Sequence, residues 1–392
     1  MSVRVEVPAG SLFGPENLPY GVFDPGDRTF RVGARLGDSV LDLAVLLEDS
    51  VFARPSLNAF LAQGPERWRE IRDRLQHLAT GTVPDAAVHP LSSVRLRLPV
   101  DIGDYVDFYA SIDHATNLGR LLRPNGEPLL PNWRHLPVGY HGRAGTVVVS
   151  GTDITRPCGQ RRTPSGAPDF GPSQRLDIEA ELGFVIGRGS RPGGPIPIDE
   201  CGNHIFGVAL VNDWSARDIQ AWEYQPLGPF LGKSFATSMA AWVTPMAALD
   251  AARIPLPPQH PAPLPYLRGR ESWGLDLELA VHWNGTVVSR PPYCRMYWSP
   301  AQMLAHLTAN GASVRPGDLF ASGTISGPER DQLGSFMELS WGGSEVIDVG
   351  GFARTFLVDG DLVEITATAP GPGGSRIGLG EVSGLILPAP LS

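Results

Sequence analysis

The chain has 392 residues, of which 42% are hydrophobic and 19% charged, and carries a formal charge of −9. A chain of this length can bury a large core and favours two domains over one, and an acidic balance with no basic stretch argues against nucleic acid as a partner. The 46 glycines and 38 prolines suit a β-rich fold with many turns. The opening MSVRVEVPAG lacks the basic and then apolar pattern of a signal peptide. From Phe30 to Leu43 the residues alternate and turn at Gly37-Asp38, as a β-hairpin would. Two helical pieces follow, separated by Gly64-Pro65: one carries Leu57, Phe60 and Leu61, the next Trp68, Ile71, Leu75 and Leu78. Turn-rich residues from Gly81 to Pro90 mark a boundary, so residues 1–95 are expected as a small unit and 96–392 as a large one.

Beyond the boundary short strands dominate: Val94–Leu98, Thr146–Ser150, Leu176–Ile186, Leu275–His282, Val346–Ile347 and Leu362–Thr366. A helix is expected from Ser299 as N-cap, through Pro300, to Gly311 as C-cap, and another after Ser215. The expected class is therefore β-rich α+β. No apolar run approaches the ~20 residues needed to span a bilayer. Three cysteines without Cys-x-x-Cys spacing point to a reduced, cytoplasmic setting.

Three segments carry chemistry. In Leu176–Leu182, Asp177, Glu179 and Glu181 fall on one strand face, with carboxylates roughly 7 Å apart. If that face is buried, the repulsion requires a cation, and hard oxygens favour Mg²⁺ or Ca²⁺. A solvent-facing strand side explains the spacing at least as well. Asp107, with Tyr109 on its face, and Asp213 add carboxylates from two other segments. In Asn212–Thr237, Arg217, Gln220 and Tyr224 stand at i, i+3 and i+7 of the helix after Ser215, an anion-binding wall beside a cation site. The aromatics Trp214, Trp222, Phe230 and Phe235 imply that this segment is buried. His114 follows Asp107 and Tyr109 within one short stretch, company that His77, His89, His260 and His306 lack.

The string Gly228-Pro229-Phe230-Leu231-Gly232-Lys233-Ser234 closely resembles the fumarylacetoacetase family, as does Asn132–Arg143, and the resemblance runs through the whole chain. It implies an N-terminal SH3-like barrel, then a large mixed β-roll, and a homodimer acting in the cytoplasm. It implies a metal (Mg²⁺ or Ca²⁺) held by Asp107, Glu179, Glu181 and Asp213, with Lys233 and Thr237 completing the second side. His114 is implied as general base and Glu338, on a stretch that alternates like a strand, as its partner. Arg217, Gln220 and Lys233 become oxyanion donors, and Tyr109, Arg123, Tyr224 and Thr324 contacts to a diketo dicarboxylate substrate. The implied reaction is hydrolysis of a carbon–carbon bond in a β-diketone. Alternatives are a related hydrolase of acylpyruvate or tailoring type, and a non-enzymatic Ca²⁺-binding β protein. Departures from the family's wording are Ala236, where a glycine is usual, and Ile112-Asp113 before the histidine. His135 and His141 read as scaffold.

Overall fold

A computed structural model describes residues 1–270 and 273–390. Its main sheet contains β1 (Tyr20–Asp24), β2 (Arg31–Leu36), β3 (Ser39–Asp42), β4 (Val88–Pro90), β5 (Tyr105–Phe108), β6 (Gly139–His141), β7 (Ala180–Ile186), β8 (Ile205–Asp213), β9 (Trp242–Pro245) and β10 (Leu319–Ala321). The spatial order is β4-β3-β2-β1-β9-β8-β7-β10-β5-β6, antiparallel except for the parallel β10–β5 pair. Both β7 and β8 are near-continuous apolar runs, buried at every residue, as central strands covered on both faces should be. A second sheet, in the order Ile154–Thr155, Arg376–Leu387, Leu362–Pro370, Glu278–Trp283 and Thr286–Ser289, lies against this one. Gly380 and Gly384 of its long strand leave room for the Trp242 and Trp214 rings, which a Cβ would meet at 3.1 and 2.7 Å.

The expected hairpin forms as β2–β3, with Leu36 opposite Ser39 and Gly37 at φ +58° in the turn. The two helical pieces form as Asn58–Leu61 and Pro65–Ala79. Among the described residues the N-terminal strands do not close into an SH3-like barrel. Instead, β1 pairs with β9 and continues the main sheet. The cores also merge, because Phe206 of β8 packs edge-on against Tyr20, Phe60 and Trp68 at 5.3–5.8 Å between ring centres. Burying those aromatics against one another ties the N-terminal strands to the large unit.

Other expectations need correcting. The strand Leu176–Ile186 breaks at Ile178-Glu179, leaving Leu176–Asp177 paired with Ser215–Ala216. Ser215 is therefore a strand residue, its hydroxyl turned to Asp213 O, and the helix begins at Arg217 with no side-chain cap. Leu275–His282 likewise splits into Gly274–Leu275 and Glu278–Trp283. The helix after Ser299 has the capping box expected of Ser299 and Gln302 but ends at Thr308, short of Gly311. Residues Phe336–Leu339 form one helical turn capped by Ser335 rather than a strand.

Candidate active site and metal centre

Four carboxylates from β5, β7, β8 and the break before β7 converge, with β10 lying between β5 and β7. Asp107 sits on β5, Glu181 on β7, Asp213 at the end of β8, and Glu179 in the break before β7. One oxygen from each lies within 4.8 Å of the others, and all four side chains are buried. The break matters. It turns Asp177 away from this face while Glu179 and Glu181 stay on it. Around the cluster, Lys233 Nζ donates to Glu179 at 2.6 Å and to Asp213 at 2.5 Å. Thr237, paired in register with Asp213, donates its hydroxyl to Asp213 at 3.0 Å. Lys233 and Thr237 thus hold the carboxylates in place; an ammonium has no lone pair to offer a cation.

The balance of charge inside the cluster is uneven. Both oxygens of Glu181 and Oδ1 of Asp107 are buried without a hydrogen-bond partner. Burial, reinforced by Asp107, Asp213 and Glu179, pushes the Glu181 carboxyl well above the usual carboxylate range. Burial and then the Asp213 charge do the same to Asp107, with Lys233 opposing. Glu179 goes the other way: burial alone would raise it, but Lys233 and Arg217 together hold it below the ordinary range. Unpaired buried carboxylates of this kind are costly unless a cation shares them, and an all-oxygen set suits a hard divalent ion. The residues fit such an ion.

His114, in the helix Ile112–Leu122, and Glu338, in the turn Phe336–Leu339, are both buried and lie 2.7 Å apart through Nδ1 and Oε2. Glu338 Oε2 also accepts from Ser326 and Ser335, and Oε1 from Asn117 at 3.0 Å. With four donors, and with His114 offsetting the burial, its carboxyl is held below the ordinary range. A carboxylate at Nδ1 fixes the proton there and leaves the Nε2 lone pair to act as acceptor. The Tyr109 ring stands edge-on to the imidazole at 5.4 Å.

The expected common face of Arg217, Gln220 and Tyr224 forms. Arg217, Gln220 and Tyr224 line a cavity of about 880 Å³ together with Trp222, Met337 and Arg175. Asp213, Lys233 and Thr237 line a second one of about 170 Å³. Arg217 Nη1 lies 2.7 Å from Glu179, tying the wall to the acidic cluster. Thr324 is buried with its hydroxyl unpartnered; Gly323 before it has φ +76° and no room for a Cβ, which would meet Phe108 O at 2.2 Å. Arg123 donates to Pro128 O and, like Thr324, Tyr109 and His114, lines neither cavity. Burial of the aromatics holds for Trp214 and in part for Trp222 and Phe235, but Phe230 is 64% exposed.

Two residues of the string taken as scaffold belong to the site. Tyr140, opposite Asp107 on β6, donates its hydroxyl to Asp213 at 3.0 Å, and His141 lines the smaller cavity. A Tyr-His pair alternating on a strand next to Gly139 was the available signal. Asp177, expected on the carboxylate face, binds Arg217 and the Phe336–Leu339 turn instead, and Asn117, Ser326 and Ser335 carry no sequence signal because short polar residues look ordinary.

A buried carboxylate cluster, a His–Glu pair and an arginine-lined cavity, set on a mixed β fold, are the layout of a hydrolase with a cation site. Residues 16–99 match the fumarylacetoacetase N-terminal family and residues 105–383 the fumarylacetoacetate (FAA) hydrolase C-terminal family. The chain belongs to the fumarylacetoacetate hydrolase family. Fumarylacetoacetases of Rattus norvegicus and Homo sapiens are each 46% identical to it over 413 residues, covering 98% of this chain and 98% of theirs. That of Arabidopsis thaliana is 42% identical over 414 residues, with the same coverage. Among solved structures, a fumarylacetoacetate hydrolase from psychrophilic Exiguobacterium antarcticum superposes with a TM-score of 0.59 at 17% identity, over 95% of this chain and 99% of that one. Maleylpyruvate hydrolase from Sphingobium sp. SYK-6 gives 0.55 at 16%, over 95% and 100%. These two likenesses establish the fold alone.

Proposed function

We propose that this protein hydrolyses the carbon–carbon bond of 4-fumarylacetoacetate to give fumarate and acetoacetate, the last step of tyrosine and phenylalanine breakdown. The reading is carried by full-length identity of 42–46% to fumarylacetoacetases from animals and a plant. In this mechanism Glu338 orients His114, whose Nε2 takes a proton from water as the oxygen attacks the carbonyl on the fumaryl side. The unpartnered Nη2 of Arg217, with Gln220 and the remaining N–H of Lys233, donates to the oxyanion, each contributing about 3 kcal/mol. Tyr109, Arg123, Tyr224 and Thr324 contact the substrate and set its orientation. Asp107, Glu179, Glu181 and Asp213 would hold Mg²⁺ or Ca²⁺, which supplies Lewis-acid stabilisation to the enolate that leaves. The proton held at His114 Nε2 then returns to the departing carbon.

Every residue in this scheme lies in 96–392, and residues 1–95 form the supporting part. Among the described residues no helix is long and apolar enough to cross a membrane. A homodimer in the cytoplasm is part of the same proposal. Loss of the conjugated diketone's ultraviolet absorbance, followed with and without EDTA, tests it. Turnover that stops in EDTA and returns with Mg²⁺ or Ca²⁺ supports the scheme; no turnover with either ion sinks it.

A further inference from the structure

Asp177 is fully buried, carries a carboxylate, and has no part in the scheme above. Its environment is specific. Oδ2 accepts from Arg217 Nε at 2.7 Å and from Met337 N at 3.0 Å. Oδ1 accepts from Phe336 N and from Ile178 N, both at 2.7 Å. All four partners are donors, so each oxygen is required as an acceptor. Two of these contacts lead to different halves of the active site. Gripping Arg217 along its Nε edge leaves Nη1 for Glu179 and Gln220 and Nη2 buried with no partner, and the residue lines the larger cavity. The amides of Phe336 and Met337 open the single turn on which Glu338 stands, and Glu338 holds His114.

A turn of four residues has little stability of its own. Ser335 caps it at Glu338 N, which leaves its first two amides to find partners elsewhere. Asp177 supplies both. It can do so because the chain breaks at Ile178-Glu179: the carboxylate that alternation would have aimed at the metal cluster turns instead to the Arg217 edge and the Phe336–Leu339 turn. Backbone N–H groups and a guanidinium edge are directional donors, and four of them on one carboxylate fix the relative position of the two elements.

We infer that Asp177 is a positioning residue for the hydrolytic reaction, aiming the Arg217 guanidinium into the cavity and fixing the turn that carries Glu338. The inference rests on the hydrolase reading, and the two fail separately: a wild-type enzyme that cleaves no diketone ends the reading, whereas an active wild type with an indifferent Asp177 ends only the inference.

The test is Asp177→Asn in the metal-loaded enzyme. The amide keeps the shape, but however it is turned its NH₂ faces two N–H donors. We expect kcat to fall about 100-fold with KM within about 3-fold, as for loss of an interaction made in the transition state. Divalent-ion affinity should stay within about 3-fold of wild type, since the four metal carboxylates are left in place. A role in mere packing would not predict the next result. In an Arg217→Lys or a Glu338→Gln background, Asp177→Asn should cost less than about 5-fold further in at least one case, because its effect passes through those groups. Full multiplication in both backgrounds, or a kcat within 3-fold of wild type in the single variant, overturns the inference. If Asp177→Asn cannot be obtained folded, Asp177→Glu decides alone: it keeps the charge and both acceptor oxygens but moves them one methylene out of register with the Arg217 edge and the two turn amides. A kcat loss of about 30-fold or more with metal affinity unchanged supports the clamp, and a loss below about 3-fold overturns it.

Discussion

Glu338 and Glu181 are both fully buried carboxylates in one active site, yet their surroundings differ in kind. Glu338 accepts from His114, Asn117, Ser326 and Ser335 and is held below its ordinary range. Glu181 accepts from no protein donor and is held above it, among three other carboxylates. Burial is common to both, so burial does not separate their roles. What separates them is the count of donors. A buried carboxylate whose lone pairs are filled by the protein is finished as folded and serves to orient its neighbour. One whose lone pairs face only other carboxylates is completed by something from outside. The protein therefore completes the His114–Glu338 pair itself and leaves the carboxylate cluster to be completed by a cation.

The largest effect is expected where the finished network is cut. Glu338→Gln keeps size and hydrogen bonding but removes the charge that stabilises the imidazolium, and its amide can hold the wrong tautomer. Turnover should fall by about a thousandfold or more, and raising the pH should not restore it. Metal affinity, measured by calorimetric titration, should change by less than about 3-fold, as the residue lies outside the carboxylate set. His114→Ala should behave in the same way: no turnover, near-normal metal binding. Near-normal turnover in Glu338→Gln would break the pairing, and lost metal binding in His114→Ala would merge the two regions this comparison separates.

Glu181 should respond with opposite signs depending on the ion. Its folded pKa, like that of Asp107, is raised, so the folded state binds protons that the unfolded chain has already released. The associated stability is present below the ordinary carboxylate range and is lost as pH rises through the raised values. In EDTA the wild-type melting temperature should therefore decline as pH rises from about 4. Adding Mg²⁺ or Ca²⁺ should reverse this, by about 4 kcal/mol when the ion stands at a thousandfold its Kd. Glu181→Gln removes a repelling charge, so it should melt higher than wild type in EDTA but gain much less from the ion and turn over poorly. A variant less stable than wild type in EDTA would mean that Glu181 is satisfied without a cation.

Much of this site could be read from the sequence, for identifiable reasons. The wall of Arg217, Gln220 and Tyr224 follows from helical spacing alone, and that spacing survives a shift in where the helix starts. The meeting of Asp107, Glu179, Glu181 and Asp213 is long-range; only the resemblance brought their segments together, since no local pattern reports a parallel β10–β5 pairing. What failed was strand alternation. Leu176–Leu182 and Ser335–Trp341 both alternate, but the first breaks at Ile178-Glu179 and the second folds into a capped turn. Asp177 joins the two deviating segments, and its partners Arg217 and Phe336 lie about 40 and 160 residues away in sequence, beyond any local rule. The N-terminal barrel was implied by the resemblance alone; strand propensity could not have tested it, being the same whether a strand closes a small barrel or, like β1, continues a large sheet.

The smallest effect is expected at Ala236, where the resemblance implies a glycine. Its methyl is packed into the main core, 6% exposed, immediately before Thr237, which donates to Asp213. It touches neither the His114–Glu338 network nor the carboxylate oxygens through any hydrogen bond of its own, so the chemistry should not notice its removal. Ala236→Gly frees the backbone at the cost of about 1 kcal/mol in stability, which a small drop in melting temperature would register. If the methyl narrows the substrate space, the Michaelis constant should fall or the range of accepted acyl groups widen, with the turnover number within about 3-fold of wild type. A large loss of turnover would instead show that the methyl holds Thr237, and through it Asp213, in register. Ala236 would then belong with the support of the cation site, on the unfinished side of the comparison, and not with the walls of the pocket.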